Sequence, residues 1–279
     1  MAIQLVTKFA PLAQEKFFQE SKLHYMVNND YDITGADTVK IYKITTSAMN
    51  DYDRSGANAS TQWSRYGAIA SLDATVQTEK LTRDRSFTFV LDKADIIQTD
   101  NVVGAAAALA RQIREVVTPE IDSYGFAQMV AGAGQTPTAK ALTEANIYDE
   151  IVAATEALDN AMVPEEQRFL LVTPATYALM KKSSEIVMET NVGQDMRVNG
   201  VIANLDGMNV IKVAASRLPA DFGFLAGHPS ATIAPMQLND YRIHDNPPGI
   251  SGNLVEGRVI YDTFVLDNKA NGLYYQALA

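Results

Sequence analysis

The chain has 279 residues, 47% hydrophobic and 20% charged, which is ample for one large domain or two coupled ones and too apolar for a disordered chain. Its 23 Lys and Arg against 33 Asp and Glu leave a net charge of −10. That field repels polyanions, and the pairs Arg83/Arg85 and Lys181/Lys182 are too short to build a duplex-binding groove against it. With no cysteine and three histidines, disulfides, thiolate metal sites and cysteine nucleophiles are excluded.

In chain order, residues 1–35 read as an arm. "MAIQLVTKFAPLAQEKFF" lacks the basic start and apolar core of an export signal, so the expectation is a soluble protein used without export. A short helix fits "PLAQEKFFQESKL", followed by the turn-rich "NNDYDITGAD"; the arm has too little apolar surface to form a core alone. "TVKIYKI" from Thr38 is β-branched and reads as a strand. "VQTEKLTRDRSFTFVLDKADI" resumes strand character, with Phe87 and Phe89 on one face and Thr88 and Val90 on the other.

Between these strands lies "SAMNDYDRSGANASTQWSRYGAIASLDATV", residues 47–76, which carries Trp63, the only tryptophan. Loops beyond about 15 residues are uncommon in compact domains. The segment therefore reads as a very long hairpin flanked by 38–44 and 85–91, each arm of about 15 residues reaching about 50 Å if extended. Large aromatic residues on such an arm are the type enriched where proteins meet, so the expectation is that it packs on another copy of the chain. The alternative is that Trp63 folds back on its own domain.

The longest helical signal runs from Asn101 to about Ala131. Leu109, Ile113, Val116/Val117, Ile121, Tyr124 and Gln128 keep helical spacing straight through Pro119, which predicts one kinked helix about 45 Å long. Asp100 or Asn101 is the candidate cap, and Gly132/Gly134 the stop. "VVGAAAALA" at 102–110 falls short of the roughly 20 apolar residues that span a bilayer. "AGAGQTPTAK" is a linker: a phosphate loop needs a preceding strand and a Lys followed by Ser or Thr, and here Ala141 follows Lys140.

"TEANIYDEIVAATEALDNAMVP" predicts a helix with Ile147, Ile151, Thr155, Leu158 and Met162 on one face. "RFLLVT" reads as a buried strand, and "TPATYALMKK" as a helix capped by Thr173 with Pro174 at its first position. "VNGVIANLDGMNVIKVA" reads as a hairpin turning at Asp206-Gly207, and "FGFLAGHPSATIAP" as a further strand region. This alternation marks an α/β lobe at about 140–235. The remainder is strands: "DYRIHD", "LVEGRVIYDTFVLD" and "GLYYQAL", with a bulge or bend expected near Gly257. These late strands are expected to pair with those at 38–44 and 85–91.

No active site assembles. His244-Asp245 would point to opposite faces of a strand, there is no G-x-S-x-G turn, and His228 before Pro229 has no second histidine at metal spacing. Asp92/Asp95, Glu165/Glu166 and Asp51/Asp53 do not fit a calcium loop. The expectation is no enzyme, no metal and no cofactor.

The order of arm, projecting hairpin, long helix, α/β lobe and returning strands, with "REVVTPEIDSYGFAQM" and "NDYRIHDNPPGISGNLVEGRVIYDTFVLDNKANGLYY", resembles the major capsid proteins of tailed bacteriophages, the Hong Kong 97-type α+β fold. The resemblance implies an N-terminal arm at 1–35. It implies an extended loop (45–80), first peripheral-lobe strands and spine helix (101–131) within 36–139. An axial lobe at 140–235 and peripheral-lobe return strands at 236–279 complete the chain. It implies pentamers and hexamers of an icosahedral shell, assembled in the host bacterial cytoplasm around double-stranded DNA. The contacts expected are Tyr52, Arg54, Trp63, Arg65 and Tyr66 on the extended loop and Asn246, Pro247 and Pro248 on a peripheral turn. The chain enters its arm without the extra domain of about a hundred residues seen in some members, so a separate scaffolding protein is expected, along with a portal and decoration proteins as further partners. The net negative wall implies DNA enclosed without sequence-specific binding. The other readings are an encapsulin-like compartment holding enzymes, and a soluble α/β enzyme using 140–235.

Some members lock their shells by an isopeptide bond from an extended-loop lysine to a neighbour's asparagine. No lysine lies between Lys43 and Lys80. Assembled particles are therefore expected to dissociate to a single band in denaturing electrophoresis, and a ladder of covalent oligomers would overturn this.

Overall fold

In the computed structural model, residues 21–28, 38–44, 46–56, 64–67, 69, 71, 74–98, 104–184, 186 and 204–279 are described. They fall into two units, 36–81 and 1–35 with 82–279. In the first, β1 (Thr38–Ile44) pairs antiparallel with β2 (Ala74–Lys80), Thr38 opposite Lys80 and Ile44 opposite Ala74. The long hairpin therefore exists, but its returning strand is 74–80, not 85–91. β1 takes its partner from that hairpin and not from the late strands.

In the second unit the β-prone run continues as β3 (Arg83–Asp92), which belongs to a different sheet. The chain changes sheets at Leu81-Thr82, where the Thr82 N–H donates to the Asp262 carboxylate (2.8 Å) in place of a β-ladder carbonyl. The run ends earlier than its sequence suggests. The Asp92 carboxylate accepts the Ala94 N–H at 2.7 Å, and the chain turns into helix α1 (Lys93–Gln98).

The spine is α2 (Ala105–Gln112), a π turn (Ile113–Val117) and α3 (Thr118–Ala131), without interruption. The candidate caps Asp100 and Asn101 lie outside the described residues. Pro119 has no N–H to give, and its ring presses on the carbonyl four residues back. The π turn just ahead widens the coil, with the Thr118 N–H reaching Ile113 O five residues back. The extra residue moves the apolar face on by one: beyond the turn the buried positions are Asp122, Gly125, Phe126 and Met129, while the expected Tyr124 and Gln128 are half-buried.

The next helix, α4 (Ile147–Asn160), buries Ile147, Ile151, Ala154 and Leu158 completely. Ala154 takes the place expected of Thr155, which is half-buried. The helix stops before Met162, which sits at φ 54° and is 90% exposed. Arg168 holds this exit, pairing with Asp159 at 2.7 Å and donating to Val163 O and Pro164 O.

β4 (Phe169–Val172) follows, buried throughout. Then comes α5 (Pro174–Lys182), where the Thr173 side chain accepts the Thr176 N–H as the sequence predicts. β5 (Asn204–Leu205) and β6 (Met208–Lys212) form the expected hairpin, with Asp206 and Gly207 at φ 50° and 74°, the left-handed pair of a type I′ turn. β7 (Phe222–Gly227), β8 (Thr232–Ile233), β9 (Met236–Asp245), β10 (Gly252–Tyr261), β11 (Phe264–Val265) and β12 (Leu273–Ala277) complete the chain.

Two larger sheets result. The order β3-β10-β9 is antiparallel, so β9 and β10 do supply partners for 85–91. The order β12-β7-β4-β6-β5 mixes directions, with β4 and β6 parallel. β12 thus joins the α/β sheet and leaves its expected return to β1 or β3 unmade; the 3-10 turn at Asp267–Gly272 redirects it onto β7. The register irregularity of β10 lies at Ile260/Tyr261 and not at Gly257. The Phe87 ring covers Gly257, where a Cβ would stand 2.4 Å from it.

Alternation on the five-stranded sheet divides two cores. Leu170, Val172, Phe224 and Ala226 face α4 and α5. Phe169, Leu171 and Leu225 join Phe126 and Met129 of the spine. Leu23, Met26 and Val27 of the arm are buried in this second core, so this part of the arm contributes to it although the arm could not make a core alone. The helix expected at 11–23 lies almost wholly outside the described residues. Leu23 packs on Gly125, where a Cβ would come within 2.5 Å of it.

The same contact is tied by Asp122, whose carboxylate has no exposed surface. It accepts from Ser21 Oγ (2.6 Å), the Lys22 N–H (3.2 Å) and Arg217 Nη1 (3.1 Å). Removing one partner of a buried pair leaves an uncompensated charge. Arg217→Met is expected to lower stability by about 3 kcal/mol, read from the midpoint of chemical denaturation.

Candidate assembly surfaces

The distal part of the hairpin is organised by its own backbone. Asp53 N–H donates to Arg65 O at 3.0 Å, and Asn50 Nδ2 to Tyr66 O at 3.4 Å, so the two arms meet at these pairs. The Asp53 carboxylate closes a turn by accepting from Ser55 Oγ (2.8 Å) and the Gly56 N–H (2.9 Å). Gly67 stands at φ 93° with Asn50 packed where a Cβ would be, at 2.7 Å, which only glycine permits.

This scaffold puts apolar groups in water. Met49 is 100% exposed, Tyr66 79%, Ile69 67% and Tyr52 50%. The Tyr52 and Tyr66 rings meet edge to face at 5.0 Å, a rigid aromatic pair of the kind that anchors interfaces. Arg54 and Arg65 are exposed beside them, Arg65 extending its guanidinium along Gly56. Four of the five expected loop residues are thus brought together. Trp63 lies outside the described residues.

The peripheral turn joins β9 to β10. Asn246 adopts φ 46°, and its N–H donates to Gly252 O at 2.8 Å; the Ile250 N–H donates to Pro247 O at 3.1 Å. Asn246 and Pro248 are exposed and Pro247 is half-buried. The turn is rigid, because two prolines and two closing hydrogen bonds leave it few alternative conformations.

The solvent face of β3-β10-β9 is saturated with charge pairs. Arg258 grips Asp84 with two hydrogen bonds (2.9 and 2.6 Å), which hold that carboxyl below its usual range. Arg242 pairs with Asp240, and His244 with Glu256 at 3.3 Å. His244 therefore points to Glu256 and not to Asp245, whose carboxylate accepts from Asn246. His228 accepts the Ser230 N–H at Nδ1 (3.1 Å), capping a turn. Burial pushes its pKa down, and it serves structure. Among the described residues no group of three or more His, Asp or Glu is placed to hold a metal ion, and no helix is long and apolar enough to cross a membrane.

No motif around Asp262 announces the joint it makes. This residue, 3% exposed, accepts from Thr82 N–H and Oγ1 (2.8 and 2.9 Å), Tyr124 OH (2.8 Å) and the Thr263 N–H (2.8 Å). Its partners come from the start of β3, the spine and its own loop. A lone aspartate in "YDTF" announces none of them.

A family model described as phage capsid protein matches residues 71–274. No curated protein matches the chain in sequence. Among solved structures, one from Mycobacterium phage Che8 superposes with TM-score 0.75 at 18% identity, covering 99% of this chain and 96% of that one. The asymmetric unit of the bacteriophage PhiM1 mature capsid gives 0.74 at 11%, covering 100% and 92%. The capsid of cyanophage P-SCSP1u gives 0.67 at 13%, covering 88% and 85%.

If the tyrosine pair faces outward for a partner, it contributes little to the lone subunit. Replacing both Tyr52 and Tyr66 by Ala is expected to change the stability of the unassembled subunit by less than about 1 kcal/mol, whereas Leu158→Ala costs about 2–5 kcal/mol. Denaturant titration of the three proteins checks the contrast.

Proposed function

Because the chain belongs to the phage capsid protein family and is a structural coat protein with the Hong Kong 97-type fold, we propose that its copies close as pentamers and hexamers into the icosahedral head of a tailed phage. The hairpin 36–81 is the element each copy lays on its neighbour. The observation that carries this is the exposure of Met49, Tyr52, Tyr66 and Ile69 among the described residues of one hairpin. Apolar side chains grouped in water mark a surface that is covered in the working state.

Arg54, Arg65 and Trp63 extend that contact, and Asn246, Pro247 and Pro248 form a second one at the peripheral turn, where a rigid, exposed loop gives neighbouring copies a defined shape to meet. The shell assembles in the bacterial cytoplasm with a separate scaffolding protein and a portal, and decoration proteins bind its exterior. It encloses double-stranded DNA without reading its sequence; the net charge of −10 supports a wall that does not grip the genome. The protein works as a wall and not as an enzyme, and the family match to phage capsid proteins favours this over a compartment for enzymes.

Electron microscopy of the chain co-expressed with its scaffolding partner is expected to show closed shells. Deleting residues 50–68 is expected to leave a folded subunit, by circular dichroism and thermal unfolding, that builds none. Loss of the fold on deletion would place the loop in the subunit's own core, and shells of normal size would remove the hairpin from assembly.

A further inference from the structure

The sheet β3-β10-β9 ends on β9, a ten-residue edge strand that no further strand joins among the described residues. Proteins blunt such edges with proline, bulges, short strands or charge. β9 has no proline, and its register irregularity sits at the Met236 end. Arg242, Ile243, His244 and Asp245 are exposed. What β9 does carry is charge, and the order of those charges decides its partner.

Alternation fixes which backbone groups face outward. The Asn246 N–H donates to Gly252 O, one register step beyond the pair Asp245 and Asn253. Antiparallel pairs alternate between bonded and non-bonded, so Asp240, Arg242 and His244 also turn their backbone groups to β10. Asn239, Tyr241, Ile243 and Asp245 turn theirs to the open edge.

A second copy of β9 fits that edge. Antiparallel pairing about a two-fold axis through Tyr241 sets Asp240 of each copy opposite Arg242 of the other, and Asn239 opposite Ile243. In the lone subunit Arg242 and Asp240 pair with each other at 2.8 Å; across the axis four charges alternate in sign. Sliding by two residues, the smallest step that keeps the outward groups bonded, sets Asp240 against Asp240 or Arg242 against Arg242. Opposite charges directly across a strand pair stabilise it and like charges destabilise it, so one register is selected.

We propose that β9 is a self-complementary edge through which two copies of the chain join across a two-fold axis, their sheets continuing into one another. A single strand pair is smaller than a standard stable interface, so it closes where copies are already held close, and a shell of pentamers and hexamers offers two-fold axes between its capsomers. That location rests on the shell reading, while the pairing itself rests on β9 alone.

The chain has no cysteine, so an introduced thiol reports alone. In assembled particles of Tyr241→Cys, mild oxidation is expected to give a disulfide-linked dimer in non-reducing electrophoresis, because directly opposed residues stand about 5.5 Å apart at Cα, within disulfide reach. Asn239→Cys and Ile243→Cys are each expected to give none, since each thiol then lies about 13 Å along the strand from its copy; the two together in one chain are expected to restore the dimer. Adding Asp240→Arg to Tyr241→Cys is expected to slow dimer formation roughly tenfold, and adding Arg242→Asp as well to restore it.

No dimer from either Tyr241→Cys or the doubly substituted chain overturns the proposal, as does an equal yield from Ile243→Cys alone or an Asp240→Arg change without effect. If Tyr241→Cys fails to fold by circular dichroism, the doubly substituted chain decides. Normal particles without the dimer sink the pairing and leave the shell reading standing. If no particles form, the shell reading has failed, and oxidation of the concentrated subunit decides the pairing.

Discussion

Four residues, Phe169–Val172, carry the arrangement of the larger unit, because each lies in the sheet with no solvent on either side. In a pleated strand, neighbours point to opposite faces, so this one segment must satisfy two cores at once. Leu170 and Val172 bind α4 and α5 on one side, while Phe169 and Leu171 receive the spine and the arm on the other. A strand in that position cannot slip by one residue without exchanging both cores, which gives it a single register. The helices and the arm pack on this one element, and β7, its neighbour in the sheet, carries the returning strand β12.

Around that apolar frame the chain ties distant segments with buried carboxylates. Asp122 joins the arm to the spine and to the turn at Arg217; Asp262 joins Thr82, just ahead of β3, to the same spine. Each uses the directionality of hydrogen bonds where hydrophobic contact, which has none, would leave angles free. For a coat protein this division is useful. Hydrophobic burial keeps the subunit folded, and the polar joints fix which distant segments of the larger unit meet.

The hairpin follows the reverse rule. Its arms are held by backbone hydrogen bonds and an Asx-type turn at Asp53, and Met49, Tyr52, Tyr66 and Ile69 are left outside. A monomeric enzyme gains nothing from Met49 and Tyr66 in water. A subunit whose working state is a closed wall does.

Much of this was legible residue by residue. Thr173-Pro174 announced a capped helix, Asp206-Gly207 a type I′ turn, "RFLLVT" a buried strand and the 101–131 periodicity a long helix through Pro119, because caps, turns and amphipathic faces depend on residues a few positions apart. The order of these elements also carried the likeness to phage coat proteins. Tertiary structure alone decided the rest. The run 76–96 looks uniformly β-prone, yet it holds a change of sheet and a helix start. The first was set by Asp262, 180 residues away in sequence. The π turn moved the spine's buried face by one residue, an offset that a regular 3.6 period does not contain. The partner of β1 and the destination of β12 were likewise choices among strands of similar composition. Local chemistry determines which elements form; which of them meet is settled by contacts far apart along the chain, and no window of sequence shows those.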